Sequence, residues 1–179
     1  MNLVILDRDG VINDALPGHV RSADDWRPIS GSLDAVARLG RAGYRVVVAT
    51  RQPGIRRRHL TFEDLNRIHE LMHRRLAEYG GTIDAVFTCL CLRRHGCECF
   101  SPRTSMLHEI AERLHVSLAD VPCVAGTPEF LQTALAARAR SMLVRTGKET
   151  TAAGNGADRD ALEVHDGLAD VVDTLLAEG

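Results

Sequence analysis

Two carboxylates, Asp7 and Asp9, follow a run of four apolar residues near the start of the chain. The run, Leu3 to Leu6, is typical of a strand buried on both faces of a parallel sheet. Ligands of open α/β sheets collect outside the carboxyl ends of the strands, so two acids there can share a Mg²⁺ ion or act as nucleophile and acid/base. An ordinary Asp-Gly turn after a strand would explain Asp9 and Gly10, but it would not explain Asp7.

A second apolar run, Arg45 to Ala49, leads directly into the candidate phosphate-binding residues Thr50, Arg51 and Gln52. A hydroxyl at the end of a parallel strand is well placed to meet a phosphate oxygen, although a simple strand-to-helix turn is the competing interpretation. Three arginines follow at positions 56–58. They favour an anionic ligand because a guanidinium donates two hydrogen bonds at once to phosphate, but a solvated basic surface would have the same composition. From the arginines we select Arg57 and, after the cysteine-rich loop, Arg103 as candidate ligands.

Four of the five cysteines lie close together, at Cys89, Cys91, Cys97 and Cys99. Four thiolates can close a tetrahedral Zn²⁺ shell, and such a shell is structural because it leaves no open coordination position. In a reducing compartment this cluster favours a metal site over a disulfide framework. His95 could substitute as a ligand, and chance clustering of thiols is the alternative. The fifth cysteine, Cys123, stands in an apolar stretch and is predicted to be a core residue.

His69 and His73 match the H-E-x-x-H pattern of zinc proteases. No obvious third ligand follows, and both histidines flank the apolar stripe of a predicted helix. We therefore interpret them as residues of the helix surface.

The composition is that of an ordinary globular protein. The chain has 179 residues, 45% of them hydrophobic and 26% charged, with a net charge of −2. These values predict a single domain over residues 1–179 and no attraction to nucleic acid or membranes. No apolar run approaches the roughly 20 residues that span a bilayer, and the N-terminus lacks a secretory signal. We therefore expect a cytoplasmic protein, and we take it to be a monomer.

Strands and helices alternate along the chain. Strands are predicted at residues 3–6, 45–49, 83–87, 121–125 and 141–144. Helices are predicted from Ser30 to Gly43, from the capping-box pair Thr61 and Asp64 onward, and over residues 104–114 and 130–139. Residues 149–161 are small and polar and are predicted to be mobile. The alternation predicts an α/β fold in which helices cover both faces of a mainly parallel sheet.

The motif Asp7-x-Asp9-Gly-Val-Ile-Asn13, together with Thr50-x-Gln52-x-Gly54-Ile55, resembles those of the haloacid-dehalogenase-like (HAD) phosphatases. The cysteine loop and Val144-Arg-Thr-Gly-Lys148 narrow the resemblance to the heptose bisphosphate phosphatase group, with the histidinol-phosphate phosphatases as close relatives. The matches run in order over residues 3–148. The resemblance implies a Rossmann-like three-layer sandwich that acts on a phosphorylated sugar.

The resemblance also implies a mechanism. Asp7 would attack phosphorus to form an aspartyl-phosphate, while Asp9 would protonate the leaving oxygen and then activate water. Mg²⁺ would be held by Asp7, the Asp9 carbonyl and the phosphate, and Thr50 would bind a phosphate oxygen. In this group Zn²⁺ orders a substrate-recognition loop through three cysteines and one histidine. Cys91 stands at the histidine position, which leaves a four-cysteine site.

Three motifs depart from the family pattern. Arg51 replaces an asparagine in the second motif, and it could either compensate for lost charge or pair with Asp7 and block it. The third motif, Cys-Arg-Lys-Pro in the family, reads Cys99-Phe-Ser-Pro102, and the only lysine of the chain is Lys148. The fourth motif, Gly-Asp with a second Asp four residues on, reads Ala125-Gly126 and then Phe130. Glu129 is a doubtful replacement for these acids.

The missing groups leave two hypotheses. Each preorganised group that stabilises transition-state charge is worth about 10²- to 10³-fold in rate, and a Mg²⁺ site without its carboxylates is weakened. One hypothesis is a sugar-phosphate hydrolase with impaired or altered activity. The other is a pseudophosphatase that binds a phosphosugar or a protein partner without turnover. Intact Asp7 and Asp9 favour the first, and the altered motifs favour the second.

Overall fold

The computed structural model describes residues 2–17, 20–92, 98–99, 103–119, 121–147 and 162–178. Several features predicted from the sequence lie outside these ranges: His95, Cys97, Phe100 to Pro102, Lys148 and the segment 149–161.

One six-stranded sheet organises the described part of the chain, and every pairing in it is parallel. Its strands are β1 (Leu3–Leu6), β2 (Arg45–Arg51), β3 (Ala85–Cys89), β4 (Pro122–Ala125), β5 (Arg140–Val144) and β6 (Glu163–His165). The spatial order is β3-β2-β1-β4-β5-β6. The chain therefore reverses its direction of growth between β1 and β4, which is where open α/β sheets bind ligands.

Helices cover both faces of this sheet, as predicted. They are α1 (Ser32–Arg41), α2 (Phe62–Ala77), α3 (Ser105–Leu114), α4 (Pro128–Ala136) and α5 (Leu168–Glu178). Alternate strand residues point to opposite faces. Val4 and Leu6 share a core with α1, α2 and α5, whereas Leu3 and Ile5 share one with α3 and α4. The three-layer α/β fold is confirmed, and no helix among these residues is long and apolar enough to cross a membrane.

The bounds of some elements differ from the prediction. Strand β2 continues to Arg51 because that residue pairs with Cys89 at the end of β3. Strand β3 begins at Ala85 rather than residue 83, since the Asp84 carboxylate accepts a hydrogen bond from the Val46 backbone amide and occupies the strand's edge. Helix α4 begins at Pro128, two residues early, because proline is favoured in the first turn of a helix.

Candidate active site

Four of the predicted site residues come together at the carboxyl ends of β1 and β2. The two strands pair in parallel with Leu6 opposite Val48, so Asp7 and Asp9 emerge beside Thr50 and Gln52. Asp7, Thr50 and Gln52 are buried, and the Asp9 side chain is 23% exposed. Asp9 is therefore the more exposed acid of the pair.

Three glycines let the loops after β1, β4 and β5 meet at this point. Gly10 has a φ of +85°, and a Cβ added to it would lie 2.6 Å from the Cα of Gly147. A Cβ on Gly126 would lie 2.7 Å from the Asp9 carbonyl oxygen. The Thr146 hydroxyl also donates a hydrogen bond to the Gly10 carbonyl, at 2.8 Å. No side chain larger than hydrogen fits at these contacts, so the loops hold the Asp9 backbone in a fixed place.

Asp7 is a buried carboxylate that accepts hydrogen bonds from the Thr127 side chain and from the Arg8 backbone. The Thr127 hydroxyl donates to Asp7 Oδ2 at 2.7 Å, and Thr127 is also the N-cap of α4. Burial raises the pKa of Asp7 to about 8, and the nearby Asp9 charge adds to this, although the Thr127 hydrogen bond and Arg8 oppose it. Asp7 is therefore mainly protonated at neutral pH unless a cation or ligand offsets the cost of its charge.

Replacement of Asp7 with Asn is expected to stabilise the protein by an amount that grows as pH rises from 4 to 8. Folding raises the pKa of Asp7 from 3.8 to about 8, so in this range the folded protein keeps a proton that the unfolded chain releases. The native protein then loses up to about 1.4 kcal/mol of stability per pH unit from this group, whereas the D7N variant does not. Urea unfolding without added Mg²⁺ at pH 5, 6.5 and 8 measures the difference.

The matched control is Asp34→Asn, on the exposed surface of α1. It should shift the free energy of unfolding much less over the same pH range. A D7N stabilisation that does not change between pH 5 and 8 would contradict the raised pKa of Asp7.

Asp9 lies in a dense hydrogen-bond network. Arg8, which is fully buried, donates from Nε to Asp9 Oδ1 at 3.0 Å and from Nη2 to Oδ2 at 3.1 Å. The side-chain amides of Asn13 and Gln52 donate to the same carboxylate at 2.9 and 3.1 Å. Burial acts to raise the pKa of Asp9, but the Arg8 charge and these hydrogen bonds outweigh it, so the pKa is lowered. Asp9 is thus ionised at neutral pH.

The phosphate-binding candidates differ in their surroundings. Thr50 Oγ1 accepts a hydrogen bond from Gln52 Nε2 at 2.9 Å, which links the second motif to Asp9. Arg51 ends β2 half-buried, and among the described residues it forms no ion pair with Asp7. Arg57 is exposed, and Arg103 pairs with Glu98. The structure brings Thr50 and Gln52 to the acids, and it does not show contacts between the acids and Arg57 or Arg103.

The cysteines after β3 form a compact cluster in the described part of the chain. The Sγ atoms of Cys89, Cys91 and Cys99 all lie within 4.8 Å of one another, so these thiols could hold a metal ion such as zinc. The Cys89 carbonyl accepts a hydrogen bond from the Gln52 backbone N–H at 2.7 Å, which joins the cluster to the second motif. Cys123 is buried, and burial raises its pKa to about 12, as expected of an inert core thiol.

Two side chains, Arg8 and Thr127, contact the acids without having been predicted from the sequence, and a third, His69, contacts Arg8. The role of Arg8 could have been suspected, because an arginine between two acids at the end of a buried strand needs a carboxylate to pair with. Thr127 directly follows Gly126, the residue that stands where the fourth motif carries its first acid. His69 was interpreted as a helix-surface residue, but its ring is half-buried and its Nε2 lies 3.3 Å from Arg8 Nη1.

His69 has an unusually low pKa. Burial lowers it to about 4, and the positive charges of Arg8 and His73 act in the same direction. His73, one turn farther along α2, is exposed. The two histidines therefore do not behave as a pair, and the zinc-protease pattern remains without support.

The chain is similar in sequence to several bacterial phosphatases, although no protein-family model matches it. It is 42% identical over 178 residues to the D-glycero-beta-D-manno-heptose-1,7-bisphosphate 7-phosphatase of Bordetella bronchiseptica, covering 99% of both chains. It is 37% identical over 176 residues to the enzyme of that name from Pseudomonas putida, covering 98% of this chain and 100% of the other.

The fold is likewise similar to that of solved structures. The D,D-heptose 1,7-bisphosphate phosphatase of B. bronchiseptica, crystallised with magnesium and phosphate, superposes with a TM-score of 0.94 at 41% identity, covering 100% of both chains. The corresponding phosphatase from Burkholderia thailandensis gives a TM-score of 0.77 at 41% identity, covering 99% of both chains. With relatives of this identity and coverage, the chain belongs to the D-glycero-beta-D-manno-heptose-1,7-bisphosphate 7-phosphatase family.

Proposed function

We propose that this protein hydrolyses the phosphate ester of a sugar, with a turnover below that of an ordinary enzyme. Heptose bisphosphate, after which its relatives are named, is the candidate substrate. The main support is the convergence of Asp7, Asp9, Thr50 and Gln52 at the ends of two adjacent strands. This arrangement offers a nucleophile, an acid/base and a hydroxyl for phosphate on one rigid edge.

Asp7 is the proposed nucleophile. A carboxylate oxygen of Asp7 forms a bond to phosphorus while the bond from phosphorus to the sugar oxygen breaks. Water then attacks phosphorus, breaks the aspartyl–phosphate bond and releases inorganic phosphate. Since the buried carboxyl has a pKa of about 8, a positive charge must offset its burial before it can attack.

Asp9 is the proposed acid and base. In the first step it would give a proton to the leaving sugar oxygen, and in the second it would take one from the attacking water. Its pKa is lowered, because the Arg8 charge and the hydrogen bonds from Arg8, Asn13 and Gln52 outweigh the effect of burial. The ionised form of Asp9 is the one that takes a proton from water in the second step, but it has no proton to give in the first step. This supports a slow turnover.

Mg²⁺ fits this site only with help from the substrate. The proposed protein ligands are the Asp7 carboxylate and the Asp9 carbonyl. The family's first acid of the fourth motif is replaced by Gly126, and the adjacent Thr127 supplies only a hydroxyl next to Asp7. Mg²⁺ is commonly held by one or two carboxylates together with substrate phosphate. When bound, it would supply the positive charge that Asp7 and the phosphate need. Its binding without phosphate should be weak.

A second candidate function is phosphosugar or protein binding without turnover. It is favoured because both acids already accept hydrogen bonds from other groups of the protein. Thr127 donates to Asp7, while Arg8, Asn13 and Gln52 donate to Asp9. If a ligand does not displace these contacts, the acids cannot react.

Phosphate release from D-glycero-β-D-manno-heptose 1,7-bisphosphate and from an aryl phosphate separates the two functions. With Mg²⁺, we expect a rate below the ordinary range of about 1–10³ s⁻¹, and we expect it to disappear in Asp7→Asn. Equal rates in both proteins would identify a contaminating phosphatase and reject the hydrolase. If the native protein binds the bisphosphate in calorimetry but releases no phosphate at any Mg²⁺ concentration, the binding function is correct.

A further inference from the structure

The guanidinium of Arg8 is completely buried between the active-site loop and helix α2. Its Nε and Nη2 atoms donate to the two oxygens of Asp9, and its Nη1 atom lies 3.3 Å from Nε2 of His69. A buried guanidinium is strongly destabilising unless its donors are paired. His69 therefore supplies the partner on the side of Arg8 that Asp9 does not reach.

The contact also determines the state of His69. Arginine has only donors, so the imidazole must accept the hydrogen bond at Nε2 and carry its own proton on Nδ1. A doubly protonated ring would instead place a positive charge against Arg8. His69 is thus a neutral acceptor in this arrangement.

Helix α2 holds His69 in place. The helix begins with a capping box between Thr61 and Asp64, and its buried residues include Ile68 and Met72. Because Ile68 anchors the adjacent position in the core, the backbone of His69 is fixed on the helix face that meets Arg8. The acceptor for Arg8 therefore comes from a rigid element outside the catalytic loops.

We propose that His69 is a positioning residue, which orients Arg8 and through it the Asp9 carboxylate for proton transfer. The proposal rests on the proposed function for its kinetic consequence, but its structural consequence is independent. Without an acceptor at position 69, the guanidinium is free to rotate away from its two-pronged contact with Asp9. Among the hydrogen bonds of the described residues, His69 has none to Asp7 or to the phosphate-binding residues, so substrate binding is not expected to depend on it.

Two substitutions at this position separate positioning from simple packing. His69→Leu keeps the approximate volume and removes the acceptor, whereas His69→Gln keeps an acceptor. His73→Leu, one turn farther on the exposed surface of the same helix, is the matched control. Each variant is measured as the full-length protein for kcat and KM of phosphate release, and by ¹⁵N NMR for hydrogen exchange at the Arg8 Nε–H. Arg8→Lys identifies this resonance by its disappearance.

We expect H69L to lower kcat about 10-fold with KM within about 2-fold of the native value, the size of effect typical of a residue that orients a functional group. The Arg8 Nε–H should exchange measurably faster in H69L, because loss of the partner lowers the free energy for opening this contact. H69Q and H73L should resemble the native protein in both measurements.

The proposal is overturned if exchange at Arg8 in H69L equals that of the native protein, or if H69Q is impaired as severely as H69L. If the native protein releases no phosphate, the proposed hydrolysis fails by itself, and the exchange measurement alone then decides whether His69 positions Arg8.

Discussion

Replacement of Thr127 with Asp is expected to tighten Mg²⁺ binding by more than about 10-fold and to raise phosphate release by about 10²-fold. The Thr127 hydroxyl lies 2.7 Å from Asp7 Oδ2, so a carboxylate at this position can share a cation with Asp7. Asp is also a favourable N-cap, and its charge suits the N-terminus of α4. The rate should remain below that of an ordinary enzyme, because the third motif still lacks its lysine.

The matched control for this substitution is Thr127→Asn, which has the same shape as Asp without the charge. Calorimetric titration with Mg²⁺ and thermal unfolding with and without Mg²⁺ measure binding independently of turnover. In the absence of Mg²⁺, T127D should unfold at a lower temperature than T127N because two carboxylates then face each other. Equal Mg²⁺ affinity in T127D and T127N would show that position 127 does not face the cation.

Loss of one cysteine ligand is expected to remove zinc from the protein and to destabilise it by several kcal/mol. Structural zinc sites contribute on the order of 10–16 kcal/mol of binding free energy in small zinc-finger peptides, and part of that is available to order a loop. The three described thiols, Cys89, Cys91 and Cys99, are already within 4.8 Å of one another. We therefore expect one zinc ion per chain in the native protein and none in Cys99→Ser.

Cys123→Ala is the control for the zinc prediction, because Cys123 is buried on β4, which β2 and β1 separate from β3 and its cysteines. The C123A variant should lose some stability, because removal of the thiol leaves a cavity in the core, but it should keep its zinc. Elemental analysis and thermal unfolding before and after chelation test both variants. A native preparation without zinc, or equal zinc content in C99S and the native protein, would refute the site.

Much of the strand end that carries the acids could be predicted from the sequence. The four residues of β1 are all apolar and the residues on either side are polar, so the strand was predicted with its observed bounds. The position of Asp7 and Asp9 at its end followed directly. The start of β3 was less predictable, because Ile83 is as apolar as the strand itself and only the tertiary contact between Asp84 and Val46 marks the boundary.

The contacts around the acids could not be predicted because they depend on side-chain directions between distant elements. Helical periodicity placed His69 beside the buried stripe of α2. It could not indicate that Arg8, 61 residues earlier in the loop after β1, would contact that histidine. Similarly, Gly126-Thr127 predicts a turn, whereas the Thr127 hydrogen bond to Asp7 depends on how β4 pairs with β1. Local patterns therefore located the site, and tertiary pairing determined the state of its groups.

The order of strands in the sheet has a consequence for how the protein folds. Gln52 and Asp9, which share a hydrogen bond, are 43 residues apart, whereas Thr127 and Asp7 are 120 residues apart. Contacts between distant residues close longer loops and generally form later. During synthesis, β1 and β2 can thus associate before β4 has emerged. We expect Asp9 to acquire its native partners first and Asp7 to stay hydrated, and ionised, until the second half of the sheet docks against β1.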